Sequence, residues 1–259
     1  MRLTVVGCAG SFAGPHSAAS SYLVSAEHAG RTWRVLMDLG SGALGSLQRH
    51  IDPAELDAVL LTHLHPDHCI DLLGLYVVRQ YRPAGAMEHR LPVHGPQGTC
   101  ERINSAYEAV GEPGTAAVFD YRDVTDGVPI HVGPLVVTPM RVEHPVEAYG
   151  FRVEADGAVL AYSGDTDACA ALGPLLTGAD LALVDSAFVE GREDHVRGIH
   201  LTGRRAAEAA LAAGGVRRLM LTHIPAWNDP ETCRADAAEV WRGDGRAVEL
   251  AEAGVTYEV

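Results

Sequence analysis

Residues 57–71 read Asp57-Ala58-Val59-Leu60-Leu61-Thr62-His63-Leu64-His65-Pro66-Asp67-His68-Cys69-Ile70-Asp71. The apolar run that opens this stretch predicts a buried strand, and "IDLLGLYVVRQY" behind it has the spacing of a helix. Between them stand three histidines and Asp67, and Asp71 follows at the start of the helical stretch. His63 and His65 are two apart in extended chain, so their imidazoles project to the same side. Pro66 then turns the chain, and Asp67-His68 opens the helix facing elsewhere. Two pairs of strong ligands therefore aim at two neighbouring points. A single histidine here would read as a solvated side chain beside an Asp67 helix cap; four such groups within six residues read as a metal-ligating cluster.

Outward from this strand–loop–helix unit, short strands are predicted at residues 2–7, 19–25 and 33–39, followed by a Gly-rich turn into a short helix in "GSGALGSLQRH". C-terminal to it come a strand in "LPVHGP", a helix over roughly 98–110, and strands near 116–121, 128–132 and 135–142. The segment "YGFRVEADGAVLAYSGD" is a hairpin by its central Asp156-Gly157, which suits a tight turn with positive φ. A helix near 168–176, strand "ADLALVD" and an irregular stretch lead to a helix N-capped by Thr202 and stopped by Gly214-Gly215. Strand "VRRLMLTHI", the loop "PAWND", a further helix and a terminal pair of strands complete the chain.

The remaining candidate ligands follow hydrophobic strands, where a buried imidazole or carboxylate is costly without a partner. They are His144 in "RVEHP", Asp165 in "AYSGDTD" and His223 in "LMLTHIP". His16, His94, His131 and His195 read as turn, strand-end or solvated-loop residues. Trp227 has two readings of equal weight: it stacks a purine base, or it closes the core.

The 259 residues show no linker or charge block and read as one domain spanning 1–259, and 47% hydrophobic residues give ample core material. No apolar run is long enough to span a bilayer, which predicts a cytoplasmic protein. Five widely spaced cysteines without a CxxC predict reduced thiols. The formal charge is −14 and every basic residue is arginine; such a balance opposes binding to long polyanions and favours a small substrate.

The order of "THLHPDH", an isolated histidine, "SGDT", the HxTG-type "HLTG" and a late "LTHI" resembles the metallo-β-lactamase superfamily, in its ribonuclease Z-like branch. The pattern is most similar to actinobacterial cyclic-nucleotide phosphodiesterases, as judged by "VVGCAGSFAGP", "DLGSGALGSLQRH" and "LMLTHIPAW". The resemblance covers residue 3 to about 228. It implies an α/β fold, an αββα sandwich of two mixed sheets flanked by helices, with a binuclear site at one edge. His63, His65 and His144 would hold one divalent metal, Asp67, His68 and His223 the other, and Asp165 would bridge them. Zinc is the leading choice for these N/O ligands, with manganese and iron as alternatives. Two such ions about 3.5–4 Å apart hold a bridging hydroxide and polarise a phosphoryl oxygen. A poor alkoxide leaving group then wants a general acid. The resemblance assigns that role to His200, with Asp185 standing where the branch carries a glutamate; the shorter Asp185 is expected to need a small shift or a water to reach His200. Asp67 joins these two as a catalytic candidate.

The expected activity is hydrolysis of a small phosphodiester, 3′,5′-cyclic nucleotides such as cAMP, to 5′-monophosphates. The expected partners are that substrate, no long nucleic acid and no membrane, with a homodimer left open. The main alternative is tRNA 3′-processing of the ribonuclease Z type. That enzyme inserts a long tRNA-gripping arm between the isolated histidine and the bridging aspartate, an interval that "YGFRVEADGAVLAYSGD" nearly fills here. Thioester and lactam hydrolases share the fold.

Overall fold

The computed structural model describes every residue except 84, 110, 112 and 242–246. Strands β1 (Arg2–Ala9), β2 (Ala18–Ala19), β3 (Ser21–His28), β4 (Arg31–Met37), β5 (Ala58–Leu60), β6 (Leu91–Gly95) and β7 (Phe119–Asp123) belong to one sheet. The second contains β8 (Ile130–Val132), β9 (Leu135–Arg141), β10 (Tyr149–Ala155), β11 (Ala158–Tyr162), β12 (Leu181–Asp185), β13 (Leu219–Thr222) and β14 (Glu249–Leu250). A last strand, β15 (Thr256–Glu258), returns to pair antiparallel with β1. Both sheets are mixed: β1, β3 and β4 pair antiparallel and β4 to β7 parallel, while β8 to β11 pair antiparallel and β11 to β14 parallel.

Parallel neighbours need crossovers, and helices supply them. Helices α1 (Ala43–Leu47), α2 (Pro66–Cys69), α3 (Leu72–Tyr81) and α4 (Thr99–Tyr107) lie between the parallel strands of the first sheet, and α5 (Leu172–Leu176), α6 (Gly203–Ala212) and α7 (Pro230–Val240) between those of the second. The two-residue period of each strand sorts its side chains into layers. Leu3, Val5, Val35, Met37 and Leu60 enter the core between the sheets with Phe151, Leu181 and Leu183. Their neighbours Val6, Leu36, Val59 and Leu61 pack outward against Leu47, Leu72, Leu75 and Ile103. Ala182 and Val184 do the same against Leu175, Ala206 and Ala210. The result is the expected αββα sandwich.

Several boundaries differ from the sequence reading. The strand predicted at 116–121 begins at Phe119, because Gly114–Ala117 form a 3-10 turn after Pro113. The helix predicted over 98–110 ends at Tyr107, and residue 110 lies outside the described residues. The helix near 168–176 shrinks to Leu172–Leu176. The terminal strands do not pair with each other: β14 joins β13 and β15 joins β1, so they extend different sheets. The hairpin turn is as expected, with Asp156 and Gly157 both at positive φ. Among the described residues no helix is long and apolar enough to cross a membrane.

Candidate metal centre

The parallel strands β4, β5, β11, β12 and β13 release their chain at one edge of the sandwich, the position where sites on α/β sheets are built. His63 and His65 follow β5, Asp165 follows β11, Asp185 ends β12, and His223 follows β13; His144 arrives from β9. Asp67 and His68 lie in α2, whose first turn holds Pro66 as predicted. Two glycines permit this convergence. A side chain at Gly10 would meet the His223 carbonyl at 2.1 Å, and one at Gly40 the Asp67 carbonyl at 1.9 Å. His223 itself is held at φ 57, a costly conformation for a residue with a side chain.

The seven candidate ligands fall into two adjoining groups. His63, His65 and His144 bring nitrogen atoms within 4.8 Å of one another, and Asp67, His68, Asp165 and His223 do the same with nitrogen and oxygen atoms. In the first group His65 Nδ1 lies 3.0 Å from His63 Nε2 and 3.3 Å from His144 Nε2. In the second, Asp67 Oδ2 is 3.3 Å from His68 Nε2, while Asp165 Oδ1 is 3.2 Å from the same nitrogen. Asp165 Oδ2 is 3.1 Å from His223 Nε2 and 3.7 Å from His63 Nε2, so this carboxylate stands between the groups.

These residues fit bound cations. His68 Nε2, His223 Nε2 and Asp165 Oδ1 are buried without a hydrogen-bond partner, a state that costs free energy unless an ion completes it. The opposite ring nitrogens are held. His68 Nδ1 donates to Asp38 Oδ2 at 2.8 Å and His144 Nδ1 to the Ile199 carbonyl at 3.0 Å; His223 Nδ1 pairs with Ser20 Oγ at 2.9 Å. Such outer partners fix ring orientation and leave Nε2 to the metal. The donors are nitrogen and oxygen, suited to zinc, manganese or iron. Cys69 stays out: its thiol contacts the Leu64 carbonyl, and burial pushes it up to about 11.

Charge states follow from burial and neighbours. Burial, and then the charge of His68, holds His63 well below the usual histidine range, and burial lowers His65 and His144. Burial alone would lower His68, but the charges of Asp165 and Asp38 outweigh it and raise it well above that range. Burial opposes ionisation of Asp165, yet His223 and His68 pull it well below the usual carboxylate range.

His200 Nδ1 donates directly to Asp185 Oδ2 at 2.8 Å. The expected shift or water is unnecessary, because Asp185 ends β12 fully buried and the backbone N–H groups of Thr166 and Ala187 fix its carboxylate. Burial would lower His200, but the charge and hydrogen bond of Asp185 outweigh it and raise the imidazole to about 9. A ligating atom of His200 lies within 4.8 Å of those of His144 and Asp165.

Asp38 was not singled out in the sequence. Fully buried at φ 59, it accepts from Thr62 N at 2.8 Å, Thr62 Oγ1 at 2.9 Å and Tyr162 OH at 2.9 Å in addition to His68. Its signal was available: a polar residue directly after a hydrophobic strand, as with His223. Trp227 does not close the core, being 65% exposed. His94 is a buried strand residue, lowered to about 4 mainly by burial, and His195 is exposed.

Residues 33–224 match the family described as the β-lactamase superfamily domain. The chain belongs to the β-lactamase superfamily. An uncharacterized protein of Mycobacterium tuberculosis is 41% identical to this superfamily member over 262 residues, covering 100% of this chain and 92% of its own. Ribonuclease Z of Mycobacterium bovis is 32% identical over 271 residues, covering 94% of each chain. The crystal structure of the metallo-β-lactamase fold protein YhfI from Bacillus subtilis superposes with a TM-score of 0.86 at 27% identity, covering 100% of this chain and 99% of that one.

Proposed function

We propose that this metal-dependent hydrolase is a binuclear phosphodiesterase that opens 3′,5′-cyclic nucleotides, cAMP among them, to 5′-monophosphates. The observation that carries the reading is the meeting of Asp165, set between two ligand groups, with His200, which Asp185 orients and which lies within 4.8 Å of it. Two divalent ions held by His63, His65, His144, Asp67, His68, His223 and the shared Asp165 would polarise a phosphoryl oxygen and lower the pKa of water. His200 does the rest of the proton work. Its Nδ1–H is committed to Asp185, which leaves Nε2 to give a proton to the departing 3′-oxygen. What sets His200 apart from the candidate ligands is its carboxylate partner, since Asp185 holds Nδ1 at 2.8 Å. Asp67, 3.3 Å from His68 Nε2, acts as a ligand and as a negative charge at the second ion.

The runner-up is tRNA 3′-processing, favoured by the ribonuclease Z relative. Against it, hairpin β10–β11 occupies the interval between His144 and Asp165 in which a tRNA-gripping arm is expected, and the chain carries a charge of −14. The test is a panel assay of the metal-loaded protein on 3′,5′- and 2′,3′-cyclic nucleotides, bis(p-nitrophenyl) phosphate and a pre-tRNA. Turnover of 3′,5′-cyclic nucleotides without trailer removal supports the proposal; the reverse pattern replaces it with the runner-up.

A further inference from the structure

The loops leaving β1 and β13 carry two aromatic side chains that neither ligand group uses. Phe12 and Trp227 lie with ring centroids 4.8 Å apart and planes tilted by 42°. Both stand in water, Phe12 38% and Trp227 65% exposed. Large exposed rings in fixed positions are characteristic of recognition surfaces.

Their position is fixed by the same backbone that fixes His223. Gly10 N donates to the Ile224 carbonyl at 3.2 Å, Ala9 forms a β-bridge to Ile224, and no side chain fits between Gly10 and the His223 carbonyl. The loop bearing Phe12 thus runs directly against the ligand histidine. Trp227 occupies a turn closed by Asn228 N to the Pro225 carbonyl at 2.8 Å. Buried Asn228 anchors that turn: its Nδ2 donates to the Ala187 carbonyl at 2.8 Å and its Oδ1 accepts from Arg192 at 2.7 Å. Phe12 packs against the indole at a tilt, and the 65% exposure of Trp227 leaves indole surface open to a ligand.

We infer that Trp227, braced by Phe12, is a nucleobase-stacking platform: the base of the substrate lies on the free indole face while its phosphate meets the ligand groups beside His223. The inference rests on the cyclic-nucleotide reading and adds a base subsite to it. A mononucleotide separates base from phosphate by one ribose, which suits a platform on the turn that directly follows a ligand. Stacking reads the π-face of a base and not its hydrogen-bonding edge. The consequence is a preference for purines over pyrimidines, with little discrimination between adenine and guanine.

Steady-state kinetics on the metal-loaded protein test this with cAMP, cGMP, cUMP and an abasic ribose 3′,5′-cyclic phosphate. Trp227→Ala is expected to raise KM for cAMP by roughly 5- to 100-fold, the range for loss of one base stack, with kcat nearly unchanged. Trp227→Phe should restore most of that loss, and Phe12→Ala should reproduce part of it. The abasic diester, with no ring to stack, should lose far less, and the purine preference should vanish in Trp227→Ala. If wild-type protein turns over cAMP and Trp227→Ala leaves its KM unchanged, or weakens the abasic diester equally, the platform is wrong and the phosphodiesterase reading survives. If wild-type protein opens no cyclic nucleotide, both fall. Sedimentation in which Trp227→Ala splits a wild-type dimer would also overturn the platform, making the patch a contact between copies.

Discussion

Asp165 approaches His68, His223 and His63 within 3.7 Å, so one carboxylate faces both ligand groups. Asp165→Ala should therefore cost both metals, and elemental analysis checks it: a variant retaining two full equivalents would remove the bridging role. His200→Ala should keep the metals and lower kcat by on the order of 10²–10⁴. The loss should be smaller on a nitrophenyl ester, whose leaving group hardly needs a proton; an equal loss on both substrates would show that His200 is no acid. The Asp185–His200 pair also has a signature in protein stripped of metal by a chelator. Because the folded state raises His200 to about 9, its contribution to stability is fully present below about pH 6.5 and is lost as pH rises through about 9. The unfolding free energies of wild type and Asp185→Asn, from urea titrations, should differ by roughly 3 kcal/mol more near pH 6 than near pH 10; a gap independent of pH would contradict the pairing. The grouping of the seven candidate ligands was foreshadowed in the sequence, where four of them stand within six residues and His144, Asp165 and His223 each come after a hydrophobic strand. Asp38 was not, since a single carboxylate after a strand also reads as a turn residue. The partners that give it meaning, such as Tyr162 at 2.9 Å, are distant in sequence.

The irregular segment 186–199 delivers His200, and α6 anchors its end. Thr202 caps α6 by accepting from Arg205 N at 3.2 Å, as its sequence position predicts, and its hydroxyl donates to Glu190 at 2.6 Å. The segment is tied again where Asp167 Oδ2 accepts from Gly198 N at 2.7 Å and Asp167 pairs with Arg205. Thr202→Ala removes a helix cap and a segment tie together. Denaturant unfolding should show a loss of about 1–2 kcal/mol, and Thr202→Ser should recover most of it; an unchanged midpoint would mean that the cap contributes nothing. Elements of this kind were legible wherever periodicity and punctuation agreed, as in the strand–loop–helix around His63 and the hairpin at Asp156-Gly157. They were misjudged where a short apolar run had no such punctuation. The stretch 168–176 is rich in Ala and Leu, yet only its last turn and a half is helical. The terminal strands look like partners in sequence but join different sheets, because β13 and β1 offer edges that the chain reaches in turn.

For the whole molecule, the sandwich collects the ends of its parallel strands at one edge, and the candidate ligand groups and the Asp185–His200 pair share that edge. Net charge of −14 and the filled interval between His144 and Asp165 support the proposal of a small phosphodiester substrate at this edge. The αββα sandwich was legible through the family resemblance that the motifs carry, whereas the Phe12–Trp227 contact joins loops far apart in sequence and appears only in three dimensions. In the proposed reaction water attacks phosphorus and the 3′ P–O bond breaks as His200 protonates the leaving oxygen. Mass spectrometry of the products of cAMP turnover in heavy-oxygen water tests it most directly. The account predicts adenosine 5′-monophosphate with a single heavy oxygen in its phosphate; adenosine 3′-monophosphate, an unlabelled phosphate, or no product from metal-loaded protein would contradict it.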